Sequence, residues 1–440
     1  MIQPNPDVFC NSPWFELNIL WNGDLAFCCQ QLETIYEKQT PNPYNIRSMS
    51  IKEWYNSLPM QQARLQMFKQ ERWSKCHQCW QEERVGDSSR RHRQNQKSVL
   101  FRQQFQSSFE QSPNYKLFKD SIESEGKTYL PPVDLHIDLG NHCNLACKMC
   151  WPGASTTIAS KMKKLKIMDV EEYLRSDWTK DKEVWQRFLN ELKEIPNLKH
   201  IHIMGGEPTT HPRFEPLIDF LIENQAVDQF GFSFVTNGTV YKQSLVDKLK
   251  QFKRASIEIS LETAVASNHY IRQGSDTEET LSNIRNYITN KADNFFVTLR
   301  PCISALSLRD YHTLIRFALE QGIIIKSRMV DHPRHLQPNV IPKQIRDTWQ
   351  QPYLDLVKDY NLDLETTVVD INESHYDNVK PIAANTVKQA LSFLSLPDES
   401  DQPEQLTKMI ELMRIWDKEY NLDARKEYPE LEELLDQYEY

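Results

Sequence analysis

From Val133 onward, short apolar runs rich in β-branched residues alternate with segments long enough for helices: Val133–Leu139, His200–Met204, Phe230–Val235, Ala255–Leu261, Phe295–Leu299 and Ile323–Ile325. Helical patterns such as Phe214–Ile222 and Glu278–Ile288 lie between them. Strands that alternate with helices in this way specify repeated βα units around a parallel sheet, and so an α/β fold. The count is six, short of the eight that close a full barrel, which predicts a partial (βα)6 barrel with an open side. Barrels of this kind carry their chemistry at the C-terminal ends of the strands. Chemistry is therefore expected in the segment after the first run.

That segment, Asp134-Leu-His-Ile-Asp-Leu-Gly-Asn-His-Cys143-Asn-Leu-Ala-Cys147-Lys-Met-Cys150, places three thiols in eight residues. Three thiolates on one loop can hold three corners of a cubane iron–sulfur cluster and leave one iron open to a substrate. The alternative is structural zinc, but a tetrahedral ion needs a fourth ligand, and His142, directly beside Cys143, is poorly placed to supply it. The start MIQPNPDVFC lacks a basic segment followed by an apolar one, and no run of about 18 apolar residues occurs. A cytoplasmic chain with no membrane span is expected. Eight of the nine cysteines fall within the first 150 residues, and in a reducing compartment such clusters bind metal in preference to forming disulfides. The net charge of −9 gives no global reason to bind nucleic acid.

Further motifs follow in order: Gly205-Gly206-Glu207-Pro208 after the second run, Thr236-Asn237-Gly238 after the third, and Ser260-Leu-Glu262 on the fourth, with Arg272 twelve residues beyond the serine. Paired glycines let a strand end approach a ligand, and the next carboxylate can accept hydrogen bonds from an ammonium group. With the CxxxCxxC loop, this set resembles the radical SAM superfamily over about Val133–Arg346. The resemblance implies a [4Fe-4S] cluster on Cys143, Cys147 and Cys150 that binds S-adenosylmethionine (SAM). Gly205, Gly206 and Glu207 would take the methionyl amine, with Thr236 part of the same cofactor site. Ser260 would face the ribose, Arg272 the methionyl carboxylate, and the backbone of Met149 the adenine.

A second thiol group lies upstream. Cys10 and Cys28 bracket Phe15–Phe27, a hairpin pattern turning at Asn22-Gly23, and Cys76-His-Gln-Cys79 follows about fifty residues on. By residue type alone, a zinc site with four cysteine ligands fits. The Gly23-x4-Cys28 spacing, Trp54-Tyr-Asn-Ser57, an Arg-containing helix and the CxxC are similar to the twitch module, a shortened relative of the SPASM domain. That resemblance implies a second, auxiliary [4Fe-4S] cluster on Cys10, Cys28, Cys76 and Cys79, in a module placed ahead of the barrel. Cys29 is a spare thiol, read as packing or as an alternative ligand. Cys302, after the fifth run, is a candidate hydrogen-atom donor.

The expected division is an auxiliary cluster domain over 1–95, a linker over 96–130, a radical SAM core over 131–346 and a helical, acidic C-terminal region over 347–440. The resemblance implies an enzyme that reductively cleaves SAM and uses the 5′-deoxyadenosyl radical to oxidise or crosslink a peptide, with a flavodoxin- or ferredoxin-type reductant. A dehydrogenase of an aminocyclitol or sugar alcohol is the alternative within the same chemistry. From another class comes a zinc-stabilised RNA binder using Arg84, Arg90, Arg91, Arg93 and Lys97, a run that equally reads as a solvated helix face.

Overall fold

The computed structural model describes residues 5, 7–29, 42–69, 71–73, 76–84, 89–97, 115–196, 198–330, 332–365 and 378–438. In chain order its strands are β1 (Glu16–Ile19), β2 (Leu25–Ala26), β3 (Asp134–Asp138), β4 (Ala146–Cys147), β5 (His200–Met204), β6 (Gly231–Thr236), β7 (Arg254–Ile259), β8 (Arg272–Gln273), β9 (Phe295–Leu299), β10 (Cys302–Ile303), β11 (Ile324–Ile325) and β12 (Arg328–Met329). Strands β3, β5, β6, β7, β9 and β11 are the six expected from the sequence, two of them with unchanged limits. Helices follow at Phe214–Asn224, Thr277–Thr289 and Tyr311–Gln321, so the chain is α/β with the repeat of a partial (βα)6 barrel. Asp276 starts the second of these helices by accepting from Glu279 N at 2.9 Å. The third ends on Gly322, whose φ of +63° supplies the left-handed stop. Among the described residues no helix is long and apolar enough to cross a membrane.

By packing, the chain divides into two compact units: Met1–His142 with Asp169–Ser233 and Gln251–Arg254, and the remainder. In the first unit β1 and β2 form the hairpin expected at Asn22-Gly23, paired Asn18↔Ala26 and Ile19↔Leu25. Gly23 (φ +89°) makes the turn, and any Cβ there would crowd the Asn45 side chain. Strand β1 also runs parallel to β3, and β3 parallel to β5. The register rows are Leu17–Leu135–Ile201 and Ile19–Ile137–Ile203 on one face, Glu16–Asp134–His200 and Asn18–His136–His202 on the other. One face is wholly apolar and buried. The other is a polar stripe, where the His136 and His202 rings lie 4.4 Å apart and both His200 Nε2 and His202 Nδ1 meet Ser233 Oγ, at 2.8 and 2.6 Å.

Ser50 and Glu53 cap the helix Ile51–Tyr55 reciprocally, and a second helix, Leu58–Met67, begins with Pro59 in its first turn. Arg64 on that helix is fully buried and donates to the carbonyls of Pro13 (3.0 Å), Gly126 (2.9 Å) and Tyr55 (2.8 Å). Arg64→Met would leave three buried carbonyls without a donor. An expected loss of about 3–5 kcal/mol follows, read as a fall in the urea midpoint; a change under about 1 kcal/mol would show that the site relaxes around the loss.

In the second unit β7, β9 and β11 run parallel. The helices Gln351–Tyr360, Val379–Leu394 and Gln402–Tyr420 supply the helical C-terminal region. Arg346, fully buried, ties that region together through the carbonyls of Ile341, Leu394 and Leu396 at 2.6–2.7 Å.

Candidate functional site

In the second unit the cysteine loop is built by its backbone. Residues 146–147 form β4, antiparallel to β8, with Cys147 opposite Arg272. Lys148 N donates to Ile271 O at 2.9 Å, and Ser155 Oγ to Leu145 O at 2.8 Å. Asn237, from the Thr-Asn-Gly motif, donates to Asn144 Oδ1 at 2.8 Å, so the turn after β6 braces the loop between Cys143 and Cys147. Cys147 is buried, whereas Cys143, Met149 and Cys150 are half-buried. Burial, then the neighbouring thiols of Cys147 and Cys143, push the Cys150 thiol up to about 12. The three sulfurs are thus close enough to feel one another.

Arg272 is committed on two sides. Its Nε and Nη2 grip the fully buried Glu262, Nη2 to Oε1 at 2.7 Å, and its Nη1 reaches Cys147 Sγ at 3.7 Å. Cys302 N also donates to Glu262 Oε1, at 3.3 Å. Ser260 sits just beyond the end of β7, half-buried, with its N–H on the Thr236 carbonyl at 2.8 Å. Lys148, to which no sequence motif assigns a role, is buried in an aromatic cage. Its Nζ lies 4.0 Å from the ring centre of Tyr270 and 4.6 Å from that of Trp416, and burial lowers its pKa to about 7. Only the Lys-Met pair inside the CxxxCxxC spacing could have signalled it, and spacing says nothing of aromatic rings 120 residues or more away.

In the first unit Gly205 and Gly206 take φ of +84° and +56° after β5. A Cβ on Gly206 would collide with the His142 carbonyl, the same oxygen that accepts Glu207 N at 2.7 Å. Glycine is required by that close approach. Glu207 is buried, and its Oε1 accepts from Thr209 N (3.0 Å) and Thr209 Oγ1 (2.6 Å), which fixes the carboxylate's orientation. Asp138, at the end of β3, is pushed up to about 7 by burial.

The N-terminal thiols also come together. Cys10, Cys28, Cys76 and Cys79 line one cavity, with Trp80, Arg90 and Arg91 among its other walls. An aromatic cluster of Phe9, Trp14 and Phe118, with ring centres 5.0–5.7 Å apart, packs behind Cys10 and Cys76. Among the described residues no three donors converge on the position of a single ion. The four thiols stand around the walls of a shared space, and four thiolates can ligate an iron–sulfur cluster. A hydrogen bond with Cys29 and burial raise the Cys28 thiol well above its usual range, and burial raises Cys10 to about 11. Of the basic run, Arg90–Lys97 is a helix, and Arg91 turns inward to Glu83 (2.8 and 2.9 Å) and the Phe9 carbonyl (3.1 Å).

A family model for the Radical SAM superfamily matches residues 137–318, and one for SPASM, an iron-sulfur cluster-binding domain, matches residues 10–80. No curated protein matches the chain. Among solved structures, Streptococcus suis SuiB bound to S-adenosylmethionine is similar over 56% of this chain and 49% of its own, with 16% identity and a TM-score of 0.36. Native anSMEcpe with bound AdoMet is similar over 51% and 62%, with 17% identity and a TM-score of 0.36. TYW1 with a lysine-pyruvate adduct bound is similar over 57% and 80%, with 18% identity and a TM-score of 0.30. The match spans about half the length of SuiB. The two domains imply their cofactors: a [4Fe-4S] cluster and S-adenosylmethionine for one, auxiliary iron–sulfur for the other. The chain therefore carries a radical SAM domain, with a SPASM-type iron–sulfur domain N-terminal to it.

Proposed function

We propose that this radical SAM enzyme cleaves S-adenosylmethionine reductively and oxidises or crosslinks a peptide. The observation that carries the first part is a loop offering three thiols and no fourth, which leaves one iron of a cubane open. When bound, the cluster and SAM supply a one-electron reduction of the sulfonium and release of a 5′-deoxyadenosyl radical, which abstracts hydrogen from the substrate.

The chain's own residues hold and orient. Cys143, Cys147 and Cys150 would hold three irons, and Asn237 keeps their loop in shape through Asn144. Arg272, gripped by Glu262, presents an N–H to Cys147 Sγ and a cation to the cofactor's carboxylate. Glu207, oriented by Thr209, takes the ammonium group, while Gly205 and Gly206 keep Cβ atoms out of its approach. Ser260 and the Met149 backbone take ribose and adenine. The peptide assignment rests on the N-terminal module's resemblance to those that accompany peptide-modifying enzymes.

Glu207→Gln keeps an acceptor for Thr209 but removes the charge that meets the ammonium. SAM affinity is expected to fall about tenfold or more, on the order of 1.5–3 kcal/mol for a charged hydrogen bond, with iron content unchanged. Unchanged affinity by calorimetry would sink that assignment. The reading as a whole is tested by anaerobic incubation with SAM and dithionite, in parallel with candidate peptides and with sugar alcohols carrying deuterium. Deuterium transfer into 5′-deoxyadenosine supports a peptide substrate; transfer only from a sugar alcohol moves the substrate to the small-molecule class.

A further inference from the structure

We infer that Arg90 donates its Nε–H to a sulfur of the auxiliary cluster held by Cys10, Cys28, Cys76 and Cys79, and so raises that cluster's midpoint potential; this rests on reading the four-thiol cavity as a cluster site. Two arginines line that cavity, and they are not equivalent. Arg91 is spent on structure: its Nε and Nη2 bind Glu83, its Nη1 binds the Phe9 carbonyl, and its guanidinium lies 5.0 Å from the Trp80 ring centre. Among the described residues Arg90 is held at one end only, by Nη2 on Glu16 Oε2 at 3.0 Å. Its Nε is buried and has no hydrogen-bond partner among the described residues.

A buried N–H left without an acceptor is destabilising, so a neighbouring acceptor is favoured. Glu16 is 2% exposed and fixed in β1, so moving the guanidinium out to water would break a buried ion pair. The Cys28 and Cys29 sulfurs lie within the electrostatic reach of Arg90, which identifies the acceptor side of the cavity. Hydrogen bonds to cluster sulfur and nearby charge are the levers by which a protein sets a cluster's potential, because both stabilise the more negative, reduced state. Here the pairing with Glu16 neutralises most of the charge. The N–H···S bond remains as the specific contribution.

The experiment uses full-length protein reconstituted with iron and sulfide, carrying alanine at Cys143, Cys147 and Cys150 so that only the auxiliary cluster is seen. In Arg90→Met with Glu16→Gln, the net charge of the pocket is unchanged and no lone ion is buried. Four irons are expected to remain, with a midpoint potential more negative than the parent's in a redox titration followed by electron paramagnetic resonance. In parallel, [15N]arginine labelling of the parent should give a nitrogen coupling on the reduced cluster that disappears in Arg90→Lys. Should the double variant fail to assemble, the labelling decides alone. Four irons with an unshifted potential, or a coupling that survives in Arg90→Lys, overturns the role of Arg90 and leaves the cluster assignment standing. Zinc in the cavity in place of iron overturns both.

Discussion

Alanine at Cys143, Cys147 and Cys150 together is expected to halve the iron and sulfide of the reconstituted enzyme, from about eight of each to about four, and to abolish formation of 5′-deoxyadenosine. The effect should be on the cluster and not on the fold. The loop is held by main-chain bonds of β4 to β8, by Lys148 N on the Ile271 carbonyl and by Ser155 on the Leu145 carbonyl, none of which uses a thiol. Arg272 loses a sulfur neighbour but keeps Glu262, so no buried charge is left single. Anaerobic iron and sulfide analysis with chromatographic assay of 5′-deoxyadenosine checks the expectation. A triple variant that retains eight irons, or that cleaves SAM at the parent rate, would refute the assignment of this loop.

The second large effect should separate SAM cleavage from product. Cys76→Ala combined with Cys79→Ala removes two of the four thiols around the N-terminal cavity and leaves the Cys143 loop untouched. Reductive cleavage to 5′-deoxyadenosine is expected to continue while modified product disappears, because a cluster with four protein thiolates has no open iron for substrate and is suited to accepting the electron that a substrate radical must lose. Cys76 packs against the Phe9, Trp14 and Phe118 cluster, so truncation there can also loosen the domain. Thermal unfolding and gel filtration must therefore accompany the assay. A well-folded double variant, shown to lack the auxiliary cluster and still forming oxidised product at the parent rate, would exclude the electron-acceptor role.

Much of the fold was legible because the βα repeat and the Asn22-Gly23 turn are local signals, and local signals survive in a single sequence. What the runs from Val133 and His200 concealed was their second face. They read as apolar, yet Asp134, His136, His200 and His202 alternate with Leu and Ile, and only the register assembles them into one polar stripe. The parallel pairing of β1 with β3 was equally hidden, since more than a hundred residues separate the partners and no spacing rule links them. For the site, the metal-ligand candidates were visible by spacing, and the four N-terminal thiols do share a cavity. Their supports were not. Glu262 beneath Arg272, the cage around Lys148 and the Glu16–Arg90 pair join residues distant in sequence, and each looks like an ordinary polar side chain until the backbone brings its partner near.

The addition of β1 and β2 beside β3 bears on how this chain stays out of aggregates. A parallel strand with nothing alongside presents a row of unsatisfied N–H and C=O groups, a template on which another chain can add. Here that flank of β3 is occupied by β1, and β1 is in turn covered by β2, only two residues long, which offers an incoming strand almost no ladder. The N-terminal segment therefore acts as a guard strand as well as a source of thiols. A truncated chain begun at residue 96 to isolate the catalytic repeat would uncover the four residues Asp134–Ile137 on that flank of β3, Leu135 and Ile137 among them, and should self-associate however well its own cysteines are loaded.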